Sequence, residues 1–64
     1  MKYRELVKRL KAAGFTFVRE GKGDHEVWGH PQLNRPVIIT QTREVSPAVT
    51  RNALKAIDQV TLGN

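Results

Sequence analysis

There is no cysteine among these 64 residues, so no disulfide can brace the fold and no thiolate metal site can form. A thiol-free chain suits a reducing compartment, and the cytoplasm is the expected location. No apolar stretch approaches the ~18 residues that a bilayer crossing needs. Met1-Lys2-Tyr3-Arg4 runs straight into a charged segment, without the apolar core of a leader peptide. No membrane partner is expected. The two histidines, His25 and His30, stand in no familiar metal-ligand spacing, so neither a metal nor a small-molecule cofactor is expected. Acidic residues are few: six Asp and Glu face eleven Lys and Arg, for a net charge of +5. The length allows one domain, 1–64, with its core over about residues 2–60, and not two. Such a core is only marginally stable, because ordering each residue costs about 1.5 kcal/mol.

The surplus charge is concentrated. Lys2, Arg4, Lys8, Arg9 and Lys11 crowd the start of the chain, with Glu5 the one acid among them. A surface tuned only for solubility would intersperse the signs. A one-sided excess suits a polyanion, because each neutralised phosphate releases condensed counterions. Arg4, Lys8 and Lys11 are therefore candidate nucleic-acid-binding residues.

Periodicity gives the elements. Tyr3, Leu6, Val7, Leu10 and Ala13 form one apolar stripe, predicting a helix from about Lys2 to Ala13, and Gly14 suits its left-handed cap. Phe15 to Glu20 reads as a strand, Gly21-Lys22-Gly23-Asp24 as a turn, and His25 to His30 as a second strand. After a polar connection, Pro36 can only open or edge the third strand, Val37 to Thr40. Gln41 to Val45 is a loop. Ser46-Pro47 then starts a second helix whose stripe is Val49, Ala53, Ala56, Ile57 and Val60, with fraying expected over 61–64. Short connections imply antiparallel pairing. The expected fold is α+β in the order α-β-β-β-α, a three-stranded antiparallel sheet with two helices on one face. Simple alternation groups Phe15, Phe17 and Arg19 on one face of the first strand, against Thr16, Val18 and Glu20. In the second strand it sets His25 and Val27 against Glu26 and Trp28. The pattern leaves open which set turns inward.

The candidate for chemistry is His25, where a glycine-containing turn enters a strand. An unperturbed imidazole, with a pKa near ~6.5, can both take and give a proton at neutral pH. RNA carries its own nucleophile, the 2′-hydroxyl, so a base that removes this proton starts cleavage without metal or cofactor. Lys22 could stabilise charge building on the phosphate. Gly21 and Gly23 would let backbone N–H groups approach that phosphate. DNA lacks the hydroxyl and would not be cut this way. Trp28 can stack on a base, although in a small core it more often packs, and His30 reads as polarity at a strand end. Two further readings stay open. One is a non-catalytic RNA-binding module of the same fold, gripping duplex shape through its basic patch. The other is a protein-interaction domain for an acidic partner.

Lys2 to Val7 with Leu10 and Ala13-Gly14-Phe15, then Gly21 to Trp28 with His30-Pro31, Val37-Ile38-Ile39, and Val49 to Lys55, occur in a telling order. Together they resemble the HicA family of small toxins, RNA-cleaving members of bacterial and archaeal toxin–antitoxin pairs. The resemblance implies a fold like that of double-stranded-RNA-binding domains and cleavage of mRNA. It also implies a HicB-type antitoxin that covers the active site, and His25 as the catalytic residue. Departures exist. Asp24 stands where many relatives carry Ser, and a carboxylate touching the ring would favour the imidazolium. Thr42 stands where relatives often have another His, and Lys55-Ala56-Ile57-Asp58 replaces the usual Lys-Gln-Ala-Gly ending.

Overall fold

The computed structural model describes residues 1–62. The elements are α1 (Tyr3–Ala12), β1 (Thr16–Glu20), β2 (His25–Gly29), β3 (Val37–Thr40) and α2 (Pro47–Leu62). The strands form one antiparallel sheet in the order β1-β2-β3. This is the α+β order expected from the sequence.

Each helix boundary has a local cause. The N–H of Phe15 donates to the Leu10 carbonyl at 2.9 Å and that of Gly14 to Lys11 at 3.0 Å. That pair of bonds is the Schellman cap, and it needs the left-handed residue that Gly14 supplies at φ 96°. Leu10 and Phe15 are both buried, which adds the apolar contact that usually accompanies this cap. At the start of α2, Ser46 Oγ accepts the Val49 N–H at 3.4 Å and the Ser46 carbonyl accepts the Thr50 N–H at 2.9 Å. The fraying expected from Thr61 onward does not hold for Thr61 and Leu62, which are helical. Buried Val60 anchors this turn, and Thr61 Oγ1 donates back to the Ile57 carbonyl at 2.9 Å. Residues 63–64 lie outside the described residues.

Register settles which strand faces turn inward. Trp28 pairs with Val37 and Glu26 with Ile39, and Trp28, Val37 and Ile39 join Leu6, Leu10, Phe15, Val45, Ala53 and Val60 in one core. Both helices therefore cover this face. The opposite face carries His25, Val27, Ile38 and Thr40; no helix covers it among the described residues, although Val27 is only 4 % exposed there.

Simple alternation fails in β1. Phe17 pairs with Trp28, but Arg19 pairs with Val27, so a β-bulge inserts Val18. The bulge moves Arg19 away from the face of Phe17 and onto the open face with Val27. It also brings Glu20 opposite Glu26 on the covered side. Gly29 fits this geometry, because a Cβ there would lie 3.0 Å from Val18 Cγ2.

Candidate functional site

His25 begins β2 on the open face, and its side chain is exposed. The turn before it is tight: the Gly21 N–H donates to the His25 carbonyl at 2.8 Å and the His25 N–H to the Lys22 carbonyl at 3.3 Å. Two glycines make this possible. A Cβ on Gly21 would come within 3.2 Å of His25 Cβ, and Gly23 sits at φ 67°. Gly21 therefore closes the turn with its N–H and has none to offer a phosphate. The Gly23 N–H donates to no group among the described residues.

The Lys22 carbonyl also lies 2.8 Å from His25 Nδ1. A carbonyl only accepts, so Nδ1 carries the hydrogen and Nε2 is left as the acceptor nitrogen. Among the described residues Nε2 has no partner. The ring is thus held in one tautomer, with its basic nitrogen open to solvent. The orienting group is a backbone carbonyl; the Asp24 carboxylate makes no hydrogen bond to the ring among the described residues.

Three segments converge around this residue. Thr40 pairs directly with His25, and the Gln41 N–H donates to the Asp24 carbonyl at 2.8 Å, which ties the β3–α2 loop to the turn. The same loop meets the start of α1, where the Tyr3 N–H donates to the Arg43 carbonyl at 3.2 Å and Lys2 bridges to Glu44. Lys2, Arg4, Lys22 and Arg43 consequently gather at the His25 end. Arg19 joins His25 on the open face as its diagonal neighbour, a relation that typically spans about 7–8 Å and that long side chains bridge. Its guanidinium donates to the Glu20 carbonyl and to no acidic side chain among the described residues. Lys8 and Lys11 are exposed but belong to the helix layer, behind the sheet as seen from His25. The structure brings together His25, Lys22 and Gly23 in one turn, sets Arg4 at the start of α1 with Lys2 and Arg43, and leaves Lys8 and Lys11 further along the helix.

Glu26 adjoins His25 in sequence and faces the opposite way. Only 7 % exposed, its carboxylate accepts the Trp28 Nε1–H at 3.0 Å and the Tyr3 hydroxyl, which lies 2.8 and 2.7 Å from its two oxygens. This carboxylate bolts α1 to the sheet directly beneath the site. Burial first, then the hydrogen bond to Glu26 and the negative charges of Glu26 and Glu20, push the Tyr3 hydroxyl pKa up to about 12. Trp28 is a core residue, 3 % exposed, rather than a surface platform.

His30 is structural. Its Nδ1 accepts the Gln32 N–H at 3.1 Å, so Nε2 carries the hydrogen and donates to the Ala13 carbonyl at 3.1 Å. The ring also packs on Phe15 with centroids 5.0 Å apart. Among the described residues no group of three or more His, Cys, Asp or Glu is placed to hold a metal ion. No helix there is long and apolar enough to cross a membrane.

The fold and the site together define a small basic α+β domain that carries an exposed histidine held in one tautomer. The family model described as the HicA toxin of bacterial toxin–antitoxin systems matches residues 3–59, nearly the whole chain, and the protein belongs to that family. It is therefore the toxin member of a toxin–antitoxin pair, with an antitoxin as its partner. Neither the curated proteins nor the solved structures give a match.

Proposed function

We propose that this toxin is an endoribonuclease that cuts mRNA in the cytoplasm with His25 as its catalytic residue. One observation carries the reading: the Lys22 carbonyl occupies His25 Nδ1 and leaves Nε2 as an unengaged base on an exposed face. Nε2 removes the proton from a ribose 2′-hydroxyl. The freed oxygen forms a bond to the adjacent phosphorus, the bond from phosphorus to the 5′ oxygen breaks, and the imidazolium returns the proton to that departing oxygen. The products are a 2′,3′-cyclic phosphate and a 5′-hydroxyl.

Charge accumulates on the non-bridging oxygens along this path, and a fixed cation stabilises it most where water is displaced. Lys22, in the turn, and Arg19, carried onto the His25 face by the bulge, supply that positive charge. A HicB-type antitoxin neutralises the enzyme by covering this face. Val18 and Ile38, 57 % and 52 % exposed, give such a partner apolar area to bury beside the catalytic ring.

The experiment is direct. Purified wild type and His25→Ala are incubated with RNA, and growth is followed on expression of each. Wild type is expected to cut RNA and arrest growth, and the variant to fold and do neither. Equal cutting by both proteins ends the proposal.

A further inference from the structure

A cleft of about 340 Å³ opens between the start of α1 and the β3–α2 loop, lined by Lys2, Tyr3, Arg4, Thr42 and Arg43. At ~30 Å³ per water it has room for roughly ten molecules, ample for a phosphodiester group. Three of its five lining residues are cations and none is an acid. The nearest acid in the loop, Glu44, is engaged by the Met1 ammonium at 3.3 Å, and Glu5 lies exposed in the first turn of the helix. The cluster is held in place by backbone: Tyr3 N–H to Arg43 at 3.2 Å, Val45 N–H to Met1 at 2.9 Å, and the bridge from Lys2 to Glu44.

The start of α1 adds to the charge. Its N-cap, Lys2, provides no side-chain cap. The amide N–H groups of Arg4 and Glu5 donate to no protein group among the described residues. Such free amides and the positive end of the helix favour an anion where Lys2 and Arg4 already converge.

We infer that this cleft seats a backbone phosphate of the bound RNA, flanking the bond presented to His25. The inference rests on the reading of the chain as an RNA-cleaving toxin and adds where the strand is gripped. Arg43 follows Thr40 by three residues, and the Thr42 N–H turns back onto the Thr40 carbonyl at 2.9 Å, so Arg43 lies within about 10 Å of the His25 pair, the reach of three extended residues at ~3.3 Å each. A strand held there and at His25 runs across one end of the sheet, past Lys22, rather than along α1 over Lys8 and Lys11.

The test uses the full chain and a single-stranded DNA oligonucleotide of mixed sequence, which keeps the phosphates and lacks the nucleophile. Binding is followed by fluorescence anisotropy from low to moderate salt. The triple variant Lys2→Gln/Arg4→Gln/Arg43→Gln is compared with Arg9→Gln/Arg35→Gln/Lys55→Gln, which removes the same charge from exposed positions elsewhere. The cleft variant is expected to bind at least ~10-fold more weakly, with the slope of log affinity against log salt shallower by about 0.7, the single-strand value for one phosphate, while the control keeps the wild-type slope to within ~0.3. Arg4→Lys/Arg43→Lys should keep the wild-type slope. If circular dichroism shows the triple variant misfolded, Arg43→Gln alone should make the slope shallower by up to about 0.7, and Arg35→Gln alone should not.

Equal losses in the cleft and control variants would reduce the effect to diffuse charge and overturn the inference. Unchanged DNA binding with lost antitoxin binding would assign the cleft to a protein carboxylate and overturn it too. Cutting of the matching RNA is followed in parallel. Wild type that binds through the cleft and cuts nothing would topple the nuclease reading and leave the subsite standing. A cleft variant that binds and cuts like wild type, while His25→Ala does not cut, would remove the subsite alone.

Discussion

His25 opens the central strand and His30 directly follows its last residue, and their surroundings make them different residues. At the His30 end both ring nitrogens are bonded, one to Ala13 and one to Gln32, and the ring leans on Phe15. The imidazole there is a bracket that holds the end of α1 against the sheet. At the His25 end one nitrogen is bonded and the other is open. The same strand also divides across its thickness, since Glu26 is buried and fully used while its neighbour His25 is exposed and half used. In a chain too short for a separate scaffold, each side chain of β2 either fastens the fold or is kept from fastening it. Chemistry is possible where one coordination position is withheld.

The largest expected effect separates the two histidines. His25→Ala should lower RNA cleavage at least ~10³-fold, measured as the single-turnover rate, because it removes the group that moves the proton. Its unfolding free energy should stay within ~0.5 kcal/mol of wild type, since the side chain is exposed and holds only its own turn. Next is Arg19→Gln, for which we expect about a 10²-fold fall in the cleavage rate at saturating RNA with a smaller change in binding, and partial rescue by Arg19→Lys. A change in binding alone would make Arg19 an ordinary phosphate contact.

His30→Ala should show the reverse pattern: a stability loss of about 1–3 kcal/mol by chemical denaturation, with the cutting rate per folded molecule unchanged. A stable His30→Ala protein that no longer cuts would erase the contrast between the two ends.

The smallest effect is a pH dependence beneath the site. The Tyr3 hydroxyl has its pKa raised from 10.0 to about 12 in the folded chain, so folding binds this proton more tightly than the unfolded chain does. Its contribution is present below pH 10 and is lost as pH rises from 10 through 12. Tyr3→Phe should be less stable at neutral pH and lose less between pH 10 and 12. Parallel curves for the two proteins would mean that Tyr3 does not titrate against Glu26.

The helices were legible in the sequence because their signals are local. A five-residue stripe ending in Gly14, and Ser46-Pro47 ahead of the second stripe, each specify an end without reference to the rest of the chain. The strands were legible in place and order, but not in facing. Arg19 was assigned by alternation to the side of Phe17, and the bulge at Val18 reverses it. A bulge is a property of two paired strands, so one strand's pattern does not disclose it; Gly29, small enough to lie beneath Val18, was the available hint.

His25 and Lys22 were visible as a turn carrying an imidazole. That the lysine's carbonyl orients the ring was not, because backbone groups leave no mark on residue type. The basic residues of α1 read as one patch, yet the helix divides them. Arg4 meets Lys2 and Arg43 at the His25 end, whereas Lys8 and Lys11 lie about one and two turns further along the helix. Arg43 escaped notice because it is isolated in sequence and joins the cluster through the backbone pairing of its loop with the start of α1. Glu26 and Trp28, two apart and so on one face, could have suggested a buried polar pair.

The account turns on an unengaged imidazole nitrogen attacking through the RNA's own hydroxyl, and the chemistry of the cut ends tests this most directly. RNA and DNA oligonucleotides of one sequence, incubated with the wild-type protein and resolved by mass, should give fragments ending in 2′,3′-cyclic phosphate and 5′-hydroxyl from the RNA and intact DNA. Cutting of the DNA, or RNA fragments bearing 3′-hydroxyl and 5′-phosphate ends, would contradict it.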